Sequence, residues 1–390
     1  MRRLGLSQVV NHLLGYSNPV PFDFLIGGTF LRTTLRKFLE RNNLTEEPII
    51  ELEYVLALGT PETTNSFQHE DWVSAVDKYQ NTKDFQMIAT GAYDSIIRFW
   101  KFNDATSPAF SLQGHTAAIQ CIVSRKAGSE LFLVSASHDH TLKSWKVNPA
   151  KKSGKCVHTM VGHTGSVLSC DVSEGDKSSG LVASGSWDST IKLWTLKEES
   201  EKEEPATKKR KTENEEGTRF KKAAITLLGH KQPVSAVAWT SKDTLASGSW
   251  DFSVRYWDVE SSINTETKNS NKAVQSLSYS PLSQLTITSH VDNVIRLWDK
   301  RTDYTETCQA FISHSTWVSQ VAFHPTNPNI FLSASYDMTL KIWDIRSTTP
   351  LHTVTTEQGH QQKILTAGWY NDNIFISGGA DSLLKTHNIK

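Results

Sequence analysis

Seven times along the chain the same order of residue types recurs. Two or three small residues lead to an aspartate, and apolar positions interleaved with a basic one then run to a large aromatic. The copies are TGAYDSIIRFW (Thr90–Trp100), SASHDHTLKSW (Ser135–Trp145), SGSWDSTIKLW (Ser184–Trp194), SGSWDFSVRYW (Ser247–Trp257), TSHVDNVIRLW (Thr288–Trp298), SASYDMTLKIW (Ser333–Trp343) and the degenerate SGGADSLLKTH (Ser377–His387). The segment after each aspartate alternates, which predicts a strand. It is expected to place Leu142 and Trp145 between sheets and Thr141 and Lys143 toward solvent or loops. One copy, with His138 and His140 flanking Asp139 and serines close by, has the residue types of a catalytic site. The variable neighbours of the aspartate in the other copies argue for a structural turn instead.

The aspartates are Asp94, Asp139, Asp188, Asp251, Asp292, Asp337 and Asp381, each six residues before the closing aromatic position and 45, 49, 63, 41, 45 and 44 residues apart. A period of about 40–45 residues with this ending is the signature of a WD propeller. The predicted fold is therefore all-β, a seven-bladed WD40 β-propeller over residues 58–390, with a small α/β unit over 1–57. The small residues are expected on a tight strand near the central channel. Each blade is apolar on both faces, so the array must close on itself. Ala105–Leu112 is expected to edge the first blade. The last blade must take its fourth strand from near Gly59–Phe67.

Histidines precede most aspartates by 21 to 25 residues: His115, His163, His230, His314 and His360. Each is expected to bond its blade's aspartate and a strand residue, a structural role. The fifth repeat has Asn269-Ser270 in this region, and the first has His69 just before Asp71. Trp187, Trp250 and Tyr336 directly precede their aspartates. They are candidate partner contacts on the propeller's top, because interface anchors are often aromatic.

Residues 197–222 interrupt the repeat with 8 acidic and 9 basic residues and almost no apolar ones. Such a segment cannot offset its ordering entropy by burial and is expected to be a disordered insertion. It contains Lys208-Lys209-Arg210-Lys211, a candidate nuclear-localisation signal or RNA phosphate contact. In the N-terminal unit, Leu6–Leu14 is expected to be helical, with Ser7 as a possible cap and Gly15 after it. Phe22–Ile26 and Ile49–Val55 read as strands, with Gly27-Gly28 as a turn. Leu31–Arg41 reads as a helix with Leu31, Leu35, Phe38 and Leu39 on one face.

The 41 basic and 41 acidic residues cancel, so no global field draws the chain to nucleic acid. The four cysteines, Cys121, Cys156, Cys170 and Cys308, form no Cys-x-x-Cys pair and are expected as reduced buried thiols. No signal peptide is read, and no apolar run reaches membrane-spanning length.

The segments GLSQVVNHLL (Gly5–Leu14), PVPFDFLIGG (Pro19–Gly28), LRTTLRKFL (Leu31–Leu39), LEYVLA (Leu52–Ala57) and NSFQHEDWVSAV (Asn65–Val76), with the KKRK-bearing insertion, carry a resemblance. The N-terminal piece resembles the ubiquitin-like domain that precedes the WD propeller in Notchless and its relatives. Nearly the whole chain resembles the WD-repeat subunit of the pescadillo–block-of-proliferation ribosome-biogenesis complex. The resemblance implies a scaffold for 60S subunit assembly and pre-rRNA processing in the nucleus, nucleolus and nucleoplasm. Its propeller would bind the block-of-proliferation propeller, which holds pescadillo, on 66S/60S pre-ribosomal particles. Its ubiquitin-like domain would be gripped by the AAA ATPase midasin. The family's key acidic residue falls on Glu47, beside Glu46, as a ligand to a metal held by midasin; a carboxylate suits a hard divalent cation. The family's domain opens with a β-hairpin before the first helix, whereas this chain starts almost at that helix. The unit is therefore expected to be truncated, with Phe24, Ile50 and Leu52 lacking sheet partners and an edge exposed. The alternative function is a WD40 adaptor in ubiquitin-ligase or signalling complexes. No nucleophile–base pair, phosphate-binding glycine loop or metal-ligand cluster stands out, so neither an enzyme nor a cofactor is expected.

Overall fold

The computed structural model describes residues 2–42, 49–82, 85–102, 104, 106–127, 130–148, 151–173, 180–196, 218–302 and 307–390. Among them, seven sheets each form one blade of four antiparallel strands, one of them with a fifth strand added, and a three-stranded sheet belongs to the N-terminal unit. In blade 1 the strands run, from the channel outward, Val73–Thr82, Phe85–Ala92, Ile97–Lys101 and Phe110–Leu112. The outer strand is thus shorter than the sequence reading, beginning at Phe110. Blade 7 takes its fourth strand from Pro61–Gln68, which pairs with Leu383–Ile389, so the two ends of the repeat region are hydrogen-bonded into one sheet. Among the described residues no helix is long and apolar enough to cross a membrane.

The small residues lie on the second strand of each blade, one step out from the channel. Their size is set by the next blade. A Cβ on Gly248 would come within 2.5 Å of Val274 Cγ1, and one on Gly378 within 2.6 Å of Val73 Cγ1. Glycine there lets the neighbouring inner strand close. The third strand alternates between two interior faces, not between core and solvent. Leu142 packs in the cluster shared with blade 3 (Val167, Val182, Trp194), whereas Trp145 packs in the cluster shared with blade 1 (Phe99, Ile97). Both faces of a blade are interior, so residues three apart in sequence are buried on opposite sides.

The N-terminal unit has two helices, α1 (Arg3–Leu14) and α2 (Leu35–Arg41), and the sheet order Thr29–Phe30, Phe22–Ile26, Glu53–Leu56. Helix α1 starts one turn earlier than Leu6. Ser7 is inside it, buried, with its hydroxyl donating to Val20 O at 3.2 Å and accepting from Phe22 N–H. Gly15 ends α1 at φ 66°, a left-handed cap that costs glycine little. Gly27 and Gly28, both at positive φ, make the tight hairpin that pairs Leu25 with Phe30. Leu31 lies before α2, whose N-cap is Thr34, yet it joins Leu6, Phe22 and Phe24 in the core. Phe24 does have a sheet partner, Tyr54. The strand expected over Ile49–Val55 is confined to Glu53–Leu56; Ile49 is 96% exposed, and Leu52 packs against the core instead. This unit rests against blade 6 through Arg346, whose guanidinium lies 5.3 Å from the Phe30 ring centre and is held by Asp344 at 2.8 Å.

The charged insertion is ordered at its end: Arg219–Lys221 adds a fifth, parallel strand to the outer edge of blade 2, beside Ser153–Val161. Backbone pairing does this without apolar burial, which composition alone does not register. Glu47 and Lys208-Lys209-Arg210-Lys211 lie outside the described residues. The four cysteines are free thiols; Cys170 is buried, but Cys308 is exposed, contrary to the expectation.

Candidate protein-interaction face

The repeat motif builds the same turn in each blade. In blade 2, Trp145 Nε1–H donates to Ser135 Oγ at 2.9 Å, and Ser135 Oγ lies 2.7 Å from His115 Nε2. His115 Nδ1 lies 2.7 Å from Asp139 Oδ2. An ionised carboxylate only accepts, so Nδ1 carries the proton and the serine hydroxyl donates to Nε2. Asp139 also accepts from Thr116 N–H, Thr141 N–H and the Thr141 hydroxyl. Burial alone would raise its pKa. The hydrogen bond from His115, with the Thr141 and Thr116 contacts, outweighs burial and holds the carboxyl well below its ordinary range. Blades 3, 4 and 6 repeat this through His163–Asp188, His230–Asp251 and His314–Asp337, at 2.8, 2.9 and 2.8 Å. His360 and Asp381 do so in blade 7. His138 and His140 take no part in this relay, and His140 sits at φ 65° in the exposed turn. The residue after the aspartate has positive φ in all seven blades (Ser95, His140, Ser189, Phe252, Asn293, Met338, Ser382).

Two blades depart from the expected histidine bond. Asp94 and Asp292 are paired instead with arginines four residues on, Arg98 at 2.6 Å and Arg296 through two contacts of 3.0 and 2.6 Å. His69 still fills the histidine position in blade 1, 2.9 Å from Thr90 Oγ1. In blade 5 His290, from the second strand itself, lies 2.8 Å from Thr288 Oγ1 and replaces it. The signal in the sequence is an arginine two residues before the tryptophan, together with a missing Gly-His.

These turns fix the residue before each aspartate at the channel mouth. Its backbone N–H donates to the loop ahead of the inner strand: Tyr93 to Trp72 O at 3.0 Å, Trp187 to Ser166 O at 2.9 Å, Trp250 to Pro233 O at 3.0 Å and Tyr336 to Trp317 O at 2.9 Å. Trp187 is half exposed, at 50%; Trp250 and Tyr336 are more covered. Trp187 and Trp250 meet edge to face at 5.5 Å, Trp317 stacks on Tyr336 at 5.9 Å, and Trp72 meets Tyr93 at 5.4 Å. The structure thus brings together two of the three sequence candidates and sets Tyr336 across the mouth. The sequence reading missed Trp72, Tyr93 and Trp317. The two tryptophans each stand three residues after a structural histidine, His69 and His314. Tyr93, His138, Trp187, Trp250 and Tyr336 line a cavity of about 550 Å³ in the channel. A patch of exposed aromatic rings on one face has the composition of a protein-binding surface. Among the described residues no three His, Cys, Asp or Glu side chains are grouped to hold a metal.

The model of the NLE (NUC135) domain matches residues 1–39, and that of the WD domain, G-beta repeat, matches 61–101, 106–146, 154–195, 221–258, 261–299 and 305–344. The seventh blade, with His387 in place of tryptophan, falls outside the repeat matches. The chain is 35% identical to a ribosome biogenesis protein WDR12 homolog of Nematostella vectensis, over 97% of this chain and 91% of that protein. The chain belongs to the WDR12/YTM1 family of ribosome biogenesis proteins. Its WDR12 homolog in Oryza sativa is 36% identical, over 98% and 89% of the two chains. The YTM1 protein of Vanderwaltozyma polyspora is 32% identical, over 99% and 90%. A family spanning plants, animals and yeast thus shares both the N-terminal unit and the propeller.

Proposed function

We propose that this chain is a non-catalytic scaffold in large-subunit ribosome assembly and pre-rRNA processing, acting in the nucleolus and nucleoplasm. The observation that carries the reading is a match over nearly the full length to proteins named for ribosome biogenesis. The aromatic face supports a docking role, since Trp72, Trp187 and Trp317 expose large apolar area that a partner would cover. On this reading the propeller binds the block-of-proliferation subunit and, through it, pescadillo. The N-terminal unit is the handle that midasin grips, with Glu47 completing the shell of midasin's metal. Lys208-Lys209-Arg210-Lys211 serves nuclear import.

The test is affinity purification of the tagged full chain from cells. Recovery of pescadillo, its block-of-proliferation partner and large-subunit precursors is expected. Midasin is expected too, and to be lost with Glu47→Ala while the other partners stay. A soluble, folded chain that recovers none of them overturns the proposal.

A further inference from the structure

The mouth face is not uniform in charge. The fourth residue after the repeat aspartate is basic in every blade. In blades 1 and 5 that cation pairs with the aspartate. In blades 3 and 4 the histidine holds the aspartate, and the cation is left with a neutral acceptor. Lys192 Nζ donates to Thr226 Oγ1 at 3.1 Å, and Arg255 Nε to Ser253 Oγ at 3.3 Å. Neither makes an ion pair among the described residues, nor do Lys231 and Lys272, which are exposed in the loops leading into blades 4 and 5. Asp188 and Asp251 are the only carboxylates in segments 187–190, 228–233, 250–253 and 270–273. Each already accepts from four donors. The exposed glutamates of this end, Glu70 and Glu357, stand in the loops before blades 1 and 7.

Apolar side chains stand out of the fold in the same sector. Leu228, two residues before His230, is 73% exposed, and Phe252, next to Asp251, is 48% exposed. Phe252 has φ 67°, at the turn position where blades 1, 3 and 7 carry serine. A bulky residue is uncommon in that region of backbone space. Its ring joins no core cluster among the described residues, so neither the turn nor the packing calls for an aromatic there. Short contacts make the sector continuous. Trp187 meets Trp250 at 5.5 Å, Lys231 N–H donates to Asp251, and Ser270 N–H donates to Phe252 O at 2.7 Å.

We propose that the sector of the mouth formed by blades 3 to 5 docks an acidic segment of a protein partner. An apolar side chain of that segment covers the surface exposed by Trp187 and Phe252, and its carboxylates meet Lys231, Lys272 and Arg255. Carboxylates give those cations the charge-assisted bonds that the fold does not supply. A leucine offers no aromatic face for a base to stack on, so the apolar share of the sector points to protein and not to nucleic acid. The inference deepens the docking role proposed for the mouth and rests on it.

The test selects random peptides displayed on phage against the immobilised full chain. The recovered peptides are expected to be rich in aspartate and glutamate around an aromatic residue or leucine. The leading peptide, labelled with fluorescein, is then followed by anisotropy at about 50 mM salt, where surface charge is little screened. The variant K231E/K272E is expected to bind it about tenfold or more weakly. Phe252→Ser, which installs the residue other blades use at this turn, should also weaken it about tenfold. The control K151E/K242E makes the same change of charge on exposed turns at the opposite end of the blades and should bind as wild type. Thermal melts equal to wild type show that each variant is folded. Failure to select any peptide, selection of basic or uncharged peptides, or equal losses in the two double variants overturns the inference. So does a mixed-sequence RNA that displaces the peptide at equal charge concentration. The purification test is separate: partners recovered undiminished by K231E/K272E sink only this inference. A chain that selects acidic peptides but recovers no pre-ribosomal partner sinks only the assembly reading.

Discussion

His387 Nε2 lies 2.9 Å from Ser377 Oγ, in the position where the other six blades bring an indole N–H to a serine or threonine hydroxyl. Its ring stacks on Phe375 at 4.7 Å, and its Nδ1 lies 2.9 Å from Thr63 Oγ1 on the strand that closes the ring of blades. A chain of contacts therefore runs from Asp381 through His360, Ser377, His387 and Thr63 to Gln358 O. With both imidazoles neutral, that chain has one proton fewer than contacts. Burial, with the nearby His360 and Lys385, pushes His387 down to about 3, so this ring stays neutral. Tryptophan would donate to Ser377 and leave Thr63 to Gln358. His387→Trp is expected to stabilise the closing blade, raising the melting temperature by a few degrees, for about 1 kcal/mol from one better-satisfied buried network. A lowered melting temperature would show that the indole does not fit beside Phe375.

Acid should loosen the fold at the histidines before it reaches the aspartates. His69, His158 and His290 are pushed down to about 4, chiefly by burial, and His387 to about 3. In the unfolded chain each titrates near 6.5. The unfolded state then binds more protons as pH falls through about 6.5, and stability is lost from there toward the folded values. Burial pushes Asp77 and Asp171 up to about 6, which works in the opposite direction between about 4 and 6, but two groups do not offset four. Melting temperature should fall steadily from pH 7 to pH 5. A flat profile over that interval counts against the buried neutral histidines.

The relay aspartates should be among the costliest single sites in the propeller. Asp188 accepts from His163, Thr164 N–H, Thr190 N–H and the Thr190 hydroxyl. Asp188→Ala leaves those donors without their acceptor, with an expected loss of about 2–4 kcal/mol. Asp292→Ala strands Arg296 in a half-buried site and should cost a similar amount. Arg296→Lys, which loses only the forked geometry, should cost about 1 kcal/mol. Chemical denaturation of the three variants ranks them, and a neutral Asp188→Ala would show that the turn holds without its carboxylate.

The mouth aromatics should separate binding from folding. Trp187 is half exposed and Trp317 nearly so, so alanine there should shift the melting temperature little. In a pull-down or calorimetric titration with the block-of-proliferation propeller proposed as its partner, each should weaken binding by about 2 kcal/mol, or some thirtyfold. Wild-type affinity in the double variant W187A/W317A would move the interface off this face.

Arg346 is expected to hold the N-terminal unit in place. It lies over Phe30 and is anchored by Asp344 through contacts of 2.9 and 2.8 Å. Arg346→Ala removes a cation–aromatic contact of about 1 kcal/mol. The unit should then show faster hydrogen exchange over Phe22–Ile26 with the blades unchanged. Exchange equal to wild type would mean that the linker and the contact of His352 Nε2 with Leu58 O suffice.

The sequence by itself determined the blade count, the turn at each aspartate and the closure of the ring. These follow from local chemistry repeated at a fixed period: every repeat carries its own aspartate, and most carry their own histidine, serine and tryptophan. It also determined the hairpin at Gly27-Gly28, because positive φ at both positions is a property of the residues themselves. Only the tertiary structure decided which face a side chain buries, as with Leu142 and Trp145 on opposite sides of one blade. A blade with two interior faces erases the polar–apolar alternation on which that reading depends. It decided, too, that Arg98 and Arg296 serve two of the aspartates, and that Arg219–Lys221 leaves a charged insertion to join blade 2. It gathered Trp72, Trp187, Trp250 and Trp317 on one face, through turns that lie up to some 245 residues apart in sequence. Contacts of that range are made by closing the ring of blades, and no local pattern records them.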